Sequence, residues 1–232
     1  MSEHKKGCFV CGKELVYGGS EALECFYCHK TYDSNVKCLD GHFVYDRCYS
    51  SSANDLIENL SSTTMLEDPL EMALILMRSP AVKTHGPEHH FLVPAVLLAS
   101  YYNIKRDYAE KKLKIKEARK RASNVLGGFY GFYGDCGAAV GTGIFISLIT
   151  NSTPLSTREW RLSNLMTSKS LHTIAVHGGP RCCKRNTYLA IKEATEFLKE
   201  NFDISMKVSQ DLRCEFNDLN KECLKHGCPF YR

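Results

Sequence analysis

The placing of cysteine constrains this chain more than any other feature. Twelve occur in 232 residues. Cys8, Cys11, Cys25, Cys28, Cys38 and Cys48 fall within the first fifty, and Cys136, Cys182, Cys183, Cys214, Cys223 and Cys228 fall after residue 130. Residues 49 to 135 carry none. A chain so divided is expected to hold two separate metal or thiol sites. "MSEHKKGCFVCGK" lacks the apolar core of a secretory leader, so a cytoplasmic setting is expected. There, thiols serve as metal ligands or redox groups rather than as a disulfide framework. The longest apolar runs, "HFLVPAVLLASYY" and "GAAVGTGIFISLI", are too short to span a bilayer, so no membrane partner is expected.

"CFVCGK" and "CFYCHK" are two Cys-x2-Cys knuckles, Cys8 with Cys11 and Cys25 with Cys28. Such a turn aims both sulfurs at one tetrahedral ion, and two turns close a zinc site of four thiolates. Cys38, His42 and Cys48 form a second set with three evident ligands, and His29 is a candidate fourth. The alternative pairing interleaves the ligands, as in cross-brace modules. So short a segment has no core of its own, and the ion supplies much of its folding free energy. Glu14, Glu21, Glu24, Asp33, Asp40 and Asp46 offset the nearby cations. That favours a structural or protein-docking role over phosphate binding.

Residues 51–64 are Ser-rich and read as a linker, with a short helix possible in "ANDLIENL". "PLEMALILMR" predicts a buried helix over 69–78, ending before Pro80. A second helix is expected from Pro87 to about Tyr102. His85, His89 and His90 cluster at its start, and read as metal ligands or an acid/base pair at the mouth of a pocket. "IKRDYAEKKLKIKEARKRASNV" predicts a long basic helix. Its charges read as a solvated face before an RNA-binding stripe, and the net charge of +4 does not demand an anionic partner.

In "GDCGAAVGTGIFISLI", Asp135 is expected to cap a helix whose Gly137, Gly141 and Gly143 admit a close backbone or ligand. No βαβ unit precedes it, which excludes a dinucleotide site. Cys136 falls at that helix's N-terminus, where the dipole favours thiolate. Ser156 and Glu159 form a capping box for the next helix, which stops at Gly178-Gly179. Pro180 is then expected to open a helix with Cys182 and Cys183 in its first turn, among Arg181, Lys184 and Arg185. Dipole and cations together lower a thiol pKa. Successive helical residues diverge by about 100°, so both thiols reach one cluster only where the backbone is irregular. Cys214, Cys223 and Cys228 follow, the last before Pro229, a setting common among iron–sulfur ligands. A cubane takes four cysteines, or three with one iron open. Zinc is the alternative ion, but no Cys-x2-Cys knuckle is present here.

"THGPEHHFLVPAVLLASYYN", "GFYGDCGAAVGTGIFISL", "HGGPRCCKRNTYLAI" and "NKECLKHGCPFY" together resemble an uncharacterised domain family of anaerobic archaea and bacteria. The resemblance implies a zinc-ribbon head on a cysteine-rich helical domain, and no agreed activity. Similar heads read "GHFVCDxC", and here Tyr45 stands in the place of that motif's first cysteine.

The expected architecture is mainly α, a helical domain preceded by a small β-rich zinc-ribbon module. Its parts are the module at 1–50, the linker at 51–64 and the cysteine-rich domain at 65–232. Zinc and an iron–sulfur cluster, 4Fe-4S in type, are the expected cofactors. The cluster is assigned to Cys136, Cys182, Cys183, Cys214, Cys223 and Cys228. His85, His89, His90 and His177 are the candidate acid/base groups or auxiliary ligands, and Arg181 and Arg185 the candidate holders of an anionic group. The expected function is an iron–sulfur enzyme of lyase or sulfur-handling type, acting on an unidentified small molecule. A metal or redox sensor that docks on a protein partner is the alternative, and RNA binding the third.

Overall fold

The computed structural model describes residues 8, 10–11, 13–45, 48 and 52–231. Asp46 lies outside them. The chain is mainly helical, with one small antiparallel sheet near the N-terminus. Strands β1 (Leu15–Glu24) and β2 (Thr31–Cys38) pair from Leu15 opposite Cys38 to Glu24 opposite Thr31. The ladder is irregular between Tyr17 and Glu21, where Gly18 and Gly19 lie. Nearly all of β1 is exposed, so the hairpin buries no apolar face of its own.

Besides the single turn Phe129–Phe132, seven helices follow among the described residues. They are α1 (Ala53–Thr63), α2 (Pro69–Arg78), α3 (Glu88–Lys105), α4 (Tyr108–Ala122), α5 (Gly137–Ile149), α6 (Arg158–Val176) and α7 (Cys183–Phe202). Helix α2 spans the expected 69–78, with Asp68 capping it and Pro69 in its first turn. Helix α3 is buried along almost its whole length and packs against α1, α2, α4, α5 and α7. An all-round apolar helix belongs at the centre of a bundle.

Three expectations need correction. The segment expected as linker is helix α1. Ser52 caps it, and Leu56, Ile57 and Leu60 enter the main core. Ser156 and Glu159 form no capping box: the cap of α6 is Thr157, and the Ser156 hydroxyl accepts the Thr153 amide at 3.0 Å instead. Asp135 does not cap α5; its carboxylate takes the Cys136 amide at 2.7 Å, and Cys136 is the cap residue.

The glycines of α5 are packing devices. A Cβ at Gly141 would lie 2.9 Å from Pro94 Cδ and 3.1 Å from the His90 carbonyl oxygen of α3. One at Gly143 would meet the Thr167 hydroxyl of α6. Only a residue without a side chain allows these approaches.

The basic helix α4 is largely engaged with its own protein. Lys111 is buried, and its Nζ donates to Thr64 O at 2.8 Å and Asn103 Oδ1 at 2.7 Å. Arg119 bridges Asp55 and Glu58 of α1, each at 2.7 Å. No helix among the described residues is long and apolar enough to cross a membrane.

The head is docked on the bundle. Its Cys25, Tyr27, Phe43 and Cys48 belong to the same apolar cluster as the helices. After α7 the described residues form two short 3-10 turns, Asn217–Leu219 and Lys225–Gly227, and otherwise irregular chain. Arg78 ties the two irregular regions together: it donates to the Val10 carbonyl in the head and to both carboxylate oxygens of Glu215.

Candidate metal centres

Two hairpin turns of the same build hold the first knuckles. The Cys8 amide donates to Lys13 O at 2.7 Å, and the Cys25 amide donates to Lys30 O at 2.9 Å. Their sulfurs do not converge on each other. Cys8 and Cys11 join Cys38 and His42, while Cys25 and Cys28 join Cys48. In each set the ligand atoms lie within 4.8 Å of one another, close enough to share a metal ion. This corrects the expectation of one site built from both knuckles. The interleaved alternative is the one observed, because β1 and β2 carry Cys38 back beside the first knuckle. His29 is not a fourth ligand: its Nδ1 pairs with Glu24 at 2.7 Å. Tyr45 stacks on Tyr32 at 3.6 Å, and its amide donates to Cys25 Sγ at 3.3 Å.

Amides stabilise sulfur charge throughout the head. Val10 N–H donates to Cys8 Sγ at 3.4 Å, and His42 N–H to Cys38 Sγ at 3.3 Å. Burial pushes the Cys8 and Cys48 thiols up to about 12. Burial opposes ionisation at Cys28 and Cys38 too, and is the largest single effect, but hydrogen bonds together outweigh it: the Lys30 amide with Cys48, Cys25 and Tyr32 at Cys28, and the His42 and Asp40 amides with Cys8 and Cys11 at Cys38, so both lie below the ordinary thiol value. Each set thus pairs a thiol that resists ionisation with one that favours it.

The later cysteines divide between two cavities, and the double cysteine is where they part. Cys182 has extended backbone, φ −143° and ψ 103°, and is the N-cap of α7, while Cys183 is its first residue. The helix therefore does not begin at Pro180. Cys182 faces a small cavity, about 20 Å³, that is also lined by Cys214, Cys223 and Cys228. Backbone amides donate to three of these sulfurs: Arg185 to Cys182 at 3.5 Å, Phe216 to Cys214 at 3.4 Å, and Lys225 to Cys223 at 3.4 Å. Phe216, Leu224 and Phe230 give the cavity an apolar wall. Tyr188 also lines it. Its side chain is fully buried, and its hydroxyl has no hydrogen-bond partner among the described residues.

Two buried cations stand beside these sulfurs. Lys184 Nζ donates to Met77 O at 2.9 Å and Val82 O at 3.1 Å, and lies 4.5 Å over the Phe216 ring. Burial pushes its ammonium down to about 7. Arg185 donates to the Gly178 and Pro180 carbonyls and to Asn186 Oδ1, so its guanidinium is engaged within the protein rather than offered to a substrate. The expected lowering of the double cysteine is reversed: burial raises Cys182, and it raises Cys183 to about 11. Desolvation outweighs the dipole and the cations.

The second cavity, about 140 Å³ and open at its mouth, is lined by Cys136, Cys183, Arg181, Asn186, His85 and His90 among others. Asn186 Nδ2 donates to Cys136 Sγ at 3.5 Å. Gly127 and Gly128 of the aromatic glycine-rich loop complete one wall. His89 lines it too, but both of its ring nitrogens are occupied, by Thr187 Oγ1 and Lys83 O, each at 3.0 Å. Burial pushes its pKa down to about 3, so it is a neutral packing histidine and not an acid/base group. His90 Nδ1 donates to Val125 O at 2.9 Å, which leaves Nε2 for the cavity. His85 Nε2 meets Asn220 Oδ1 at 3.1 Å. His177 lies outside both cavities, bonded to Thr173 O at the end of α6.

Of the six cysteines assigned to one cluster, four share a cavity and Cys136 and Cys183 line the other. Tyr188 and Asn186 were not anticipated, and Lys184 was expected only as a cation beside the thiols. The spacing of 182, 185 and 188 offered one signal, because i, i+3 and i+6 share a helical face.

No curated protein and no solved structure matches the chain. Residues 57–231, from helix α1 through the last cysteines and excluding the head, match a family of unknown function, DUF5714, and the chain belongs to that family.

Proposed function

We propose that this is a two-centre metalloprotein: a cross-braced zinc head, and a fully ligated iron–sulfur cubane with a redox role at the start of α7. One observation carries the second centre. Cys182, Cys214, Cys223 and Cys228 converge on a single apolar cavity in which a buried tyrosine hydroxyl lacks a partner.

Spacing supports the choice of ions. A tetrahedral zinc with Zn–S of about 2.3 Å holds its sulfurs roughly 3.8 Å apart. Cys11 and Cys38 in the head are 3.7 Å apart, which fits. The later four stand wider: among the described residues, no three of them come within 4.8 Å of one another. A cubane carries its thiolates on four separate irons and needs the wider set. A cubane with four thiolates is an anion, and Lys184 and Arg185 supply compensating buried charge. The apolar wall lowers the local dielectric, a main control on cluster potential.

Four thiolates occupy all four irons and leave none open as a Lewis acid. That favours an electron carrier or redox sensor over a lyase. The free state of the described cysteines fits a reducing, cytoplasmic setting.

The test is iron, zinc and acid-labile sulfide analysis with a visible spectrum, on protein purified without oxygen. Iron and sulfide with broad visible absorption are expected. Cys214→Ser and Cys228→Ser should each abolish the absorption, and Cys136→Ser should keep it. A colourless protein holding zinc alone overturns the cluster.

A further inference from the structure

We propose that the second cavity is a binding site for a small oxyanion, a phosphate or carboxylate group. Three helices begin on its walls: His90 belongs to the first turn of α3, Gly137 and Ala138 to that of α5, and Cys183 and Asn186 to that of α7. These helices are 18, 13 and 20 residues long. Each presents the positive end of its dipole, and α5 adds the orphan amides of its first turn; at α3 the His89 and His90 amides are already taken by the Gly86 and Pro87 carbonyls. Neither α3 nor α5 has a side chain capping its first turn. The α5 amides are buried, since Gly137, Ala138 and Ala139 are all inaccessible. Buried, uncapped amides facing a cavity call for an anion.

An independent observation points the same way. His90 is 8% exposed, its Nδ1 is committed to Val125 O, and Nε2 has no partner among the described residues. The ring lies directly over Gly137, where a Cβ would collide with it. The buried polar side-chain atom on this wall without a partner among the described residues is His85 Nδ1, whose ring is fixed by Nε2 on Asn220 Oδ1. His90 Nε2 can accept the proton of an acid group or, when protonated, donate to the anion. Asn186, and Arg181 at the rim, add donors of the right kind. No Asp or Glu lines the cavity among the described residues. Glu88, in the first turn of α3, turns back to accept the Lys83 amide at 2.7 Å.

The inference does not depend on which ion the cysteines hold. Cys182 and Cys183 are consecutive, so a bound anion would sit one residue from the proposed cluster, where a small reactant of an electron-transfer protein belongs.

The test is isothermal titration of the whole protein, purified without oxygen, with inorganic phosphate and, separately, with acetate. Saturable heat from one or both is expected, and the responding anion identifies the source of the oxyanion. Arg181→Gln, at the exposed rim, should weaken binding about tenfold. Gly137→Ala, which displaces the His90 ring, should weaken it at least as much. Visible absorption should be unchanged in both variants, which separates this result from any failure of the metal assignment. No saturable heat from either anion overturns the site. Binding that both folded variants retain in full overturns it as well, since the anion then sits elsewhere.

Discussion

Arg78 holds both carboxylate oxygens of Glu215, at 2.9 and 2.7 Å, between Cys214 and Phe216, which both line the four-cysteine cavity. The same guanidinium reaches the Val10 carbonyl between the first two cysteines. Glu215 holds the Arg78 guanidinium firmly charged, above its ordinary value, against the opposing effect of burial. Arg78→Met should destabilise the protein by roughly 2–4 kcal/mol, because the half-buried Glu215 carboxylate loses its bidentate guanidinium. Arg78→Lys should recover only part of this, since an ammonium cannot serve two oxygens and a carbonyl in one plane. Urea unfolding measures both. A loss below about 0.5 kcal/mol for Arg78→Met, the size of an ordinary surface change, would show that the pair is not structural.

The interleaved head predicts a particular metal count. Cys11→Ser and Cys28→Ser should each remove a different zinc ion, and the double variant should remove both. Had the two knuckles shared one ion, the double variant would lose no more than either single. Zinc per chain by mass spectrometry decides between these. Chelation should also release the hairpin, whose strands are exposed, while the helical signal at 222 nm persists.

His89 predicts a pH dependence. Its folded pKa of about 3 lies below the ordinary 6.5, so the unfolded chain binds the extra proton between those values. Stability therefore rises with pH from about 3 to 6.5 and is lost on acidification through that window. His89→Phe removes the titration. The wild type should lose stability relative to this variant as pH falls from 6.5, followed by thermal unfolding at several pH values. A gap that stays constant with pH would place the proton elsewhere.

Gly141→Ala should be destabilising despite alanine's higher helix propensity. The propensity gain is about 1 kcal/mol. Overpacking against Pro94 and the His90 carbonyl costs about 1–3 kcal/mol and separates α3 from α5. A fall in Tm of a few degrees is expected in calorimetry, and a rise would show that the two helices adjust freely.

The cysteines that could hold a metal ion were more legible than the way they combine. Knuckle spacing identified Cys8, Cys11, Cys25 and Cys28, because a Cys-x2-Cys turn is local chemistry. Which knuckle joins which set depends on the path of the hairpin between them, and spacing does not encode a path. The run 69–78 was legible to the residue, since Asp68, Pro69 and Pro80 mark its ends. Ser156 and Asp135 have capping chemistry but use it on neighbouring turns. The parting of Cys182 and Cys183 rests on backbone that turns from extended to helical between them. Burial also reversed the reading of their acidity: a helix start and three cations suggest thiolate, and only the surrounding packing shows how little water remains.

The order in which these centres can be completed follows from where their sulfurs lie along the chain. Both sets in the head are finished by Cys48, before any of the seven helices has been made. The four-cysteine cavity has one sulfur at the start of α7 and three in the irregular segment beyond it. A growing chain can therefore metallate its head during synthesis, but the second centre waits until residues past Cys228 have emerged. Until then the segment is held by Met206, Leu212, Phe216 and Phe230, which enter the main core, and by Arg78 through Glu215. A cell short of the proposed second metal would then accumulate molecules with a finished head and bundle and an unfilled cavity after α7.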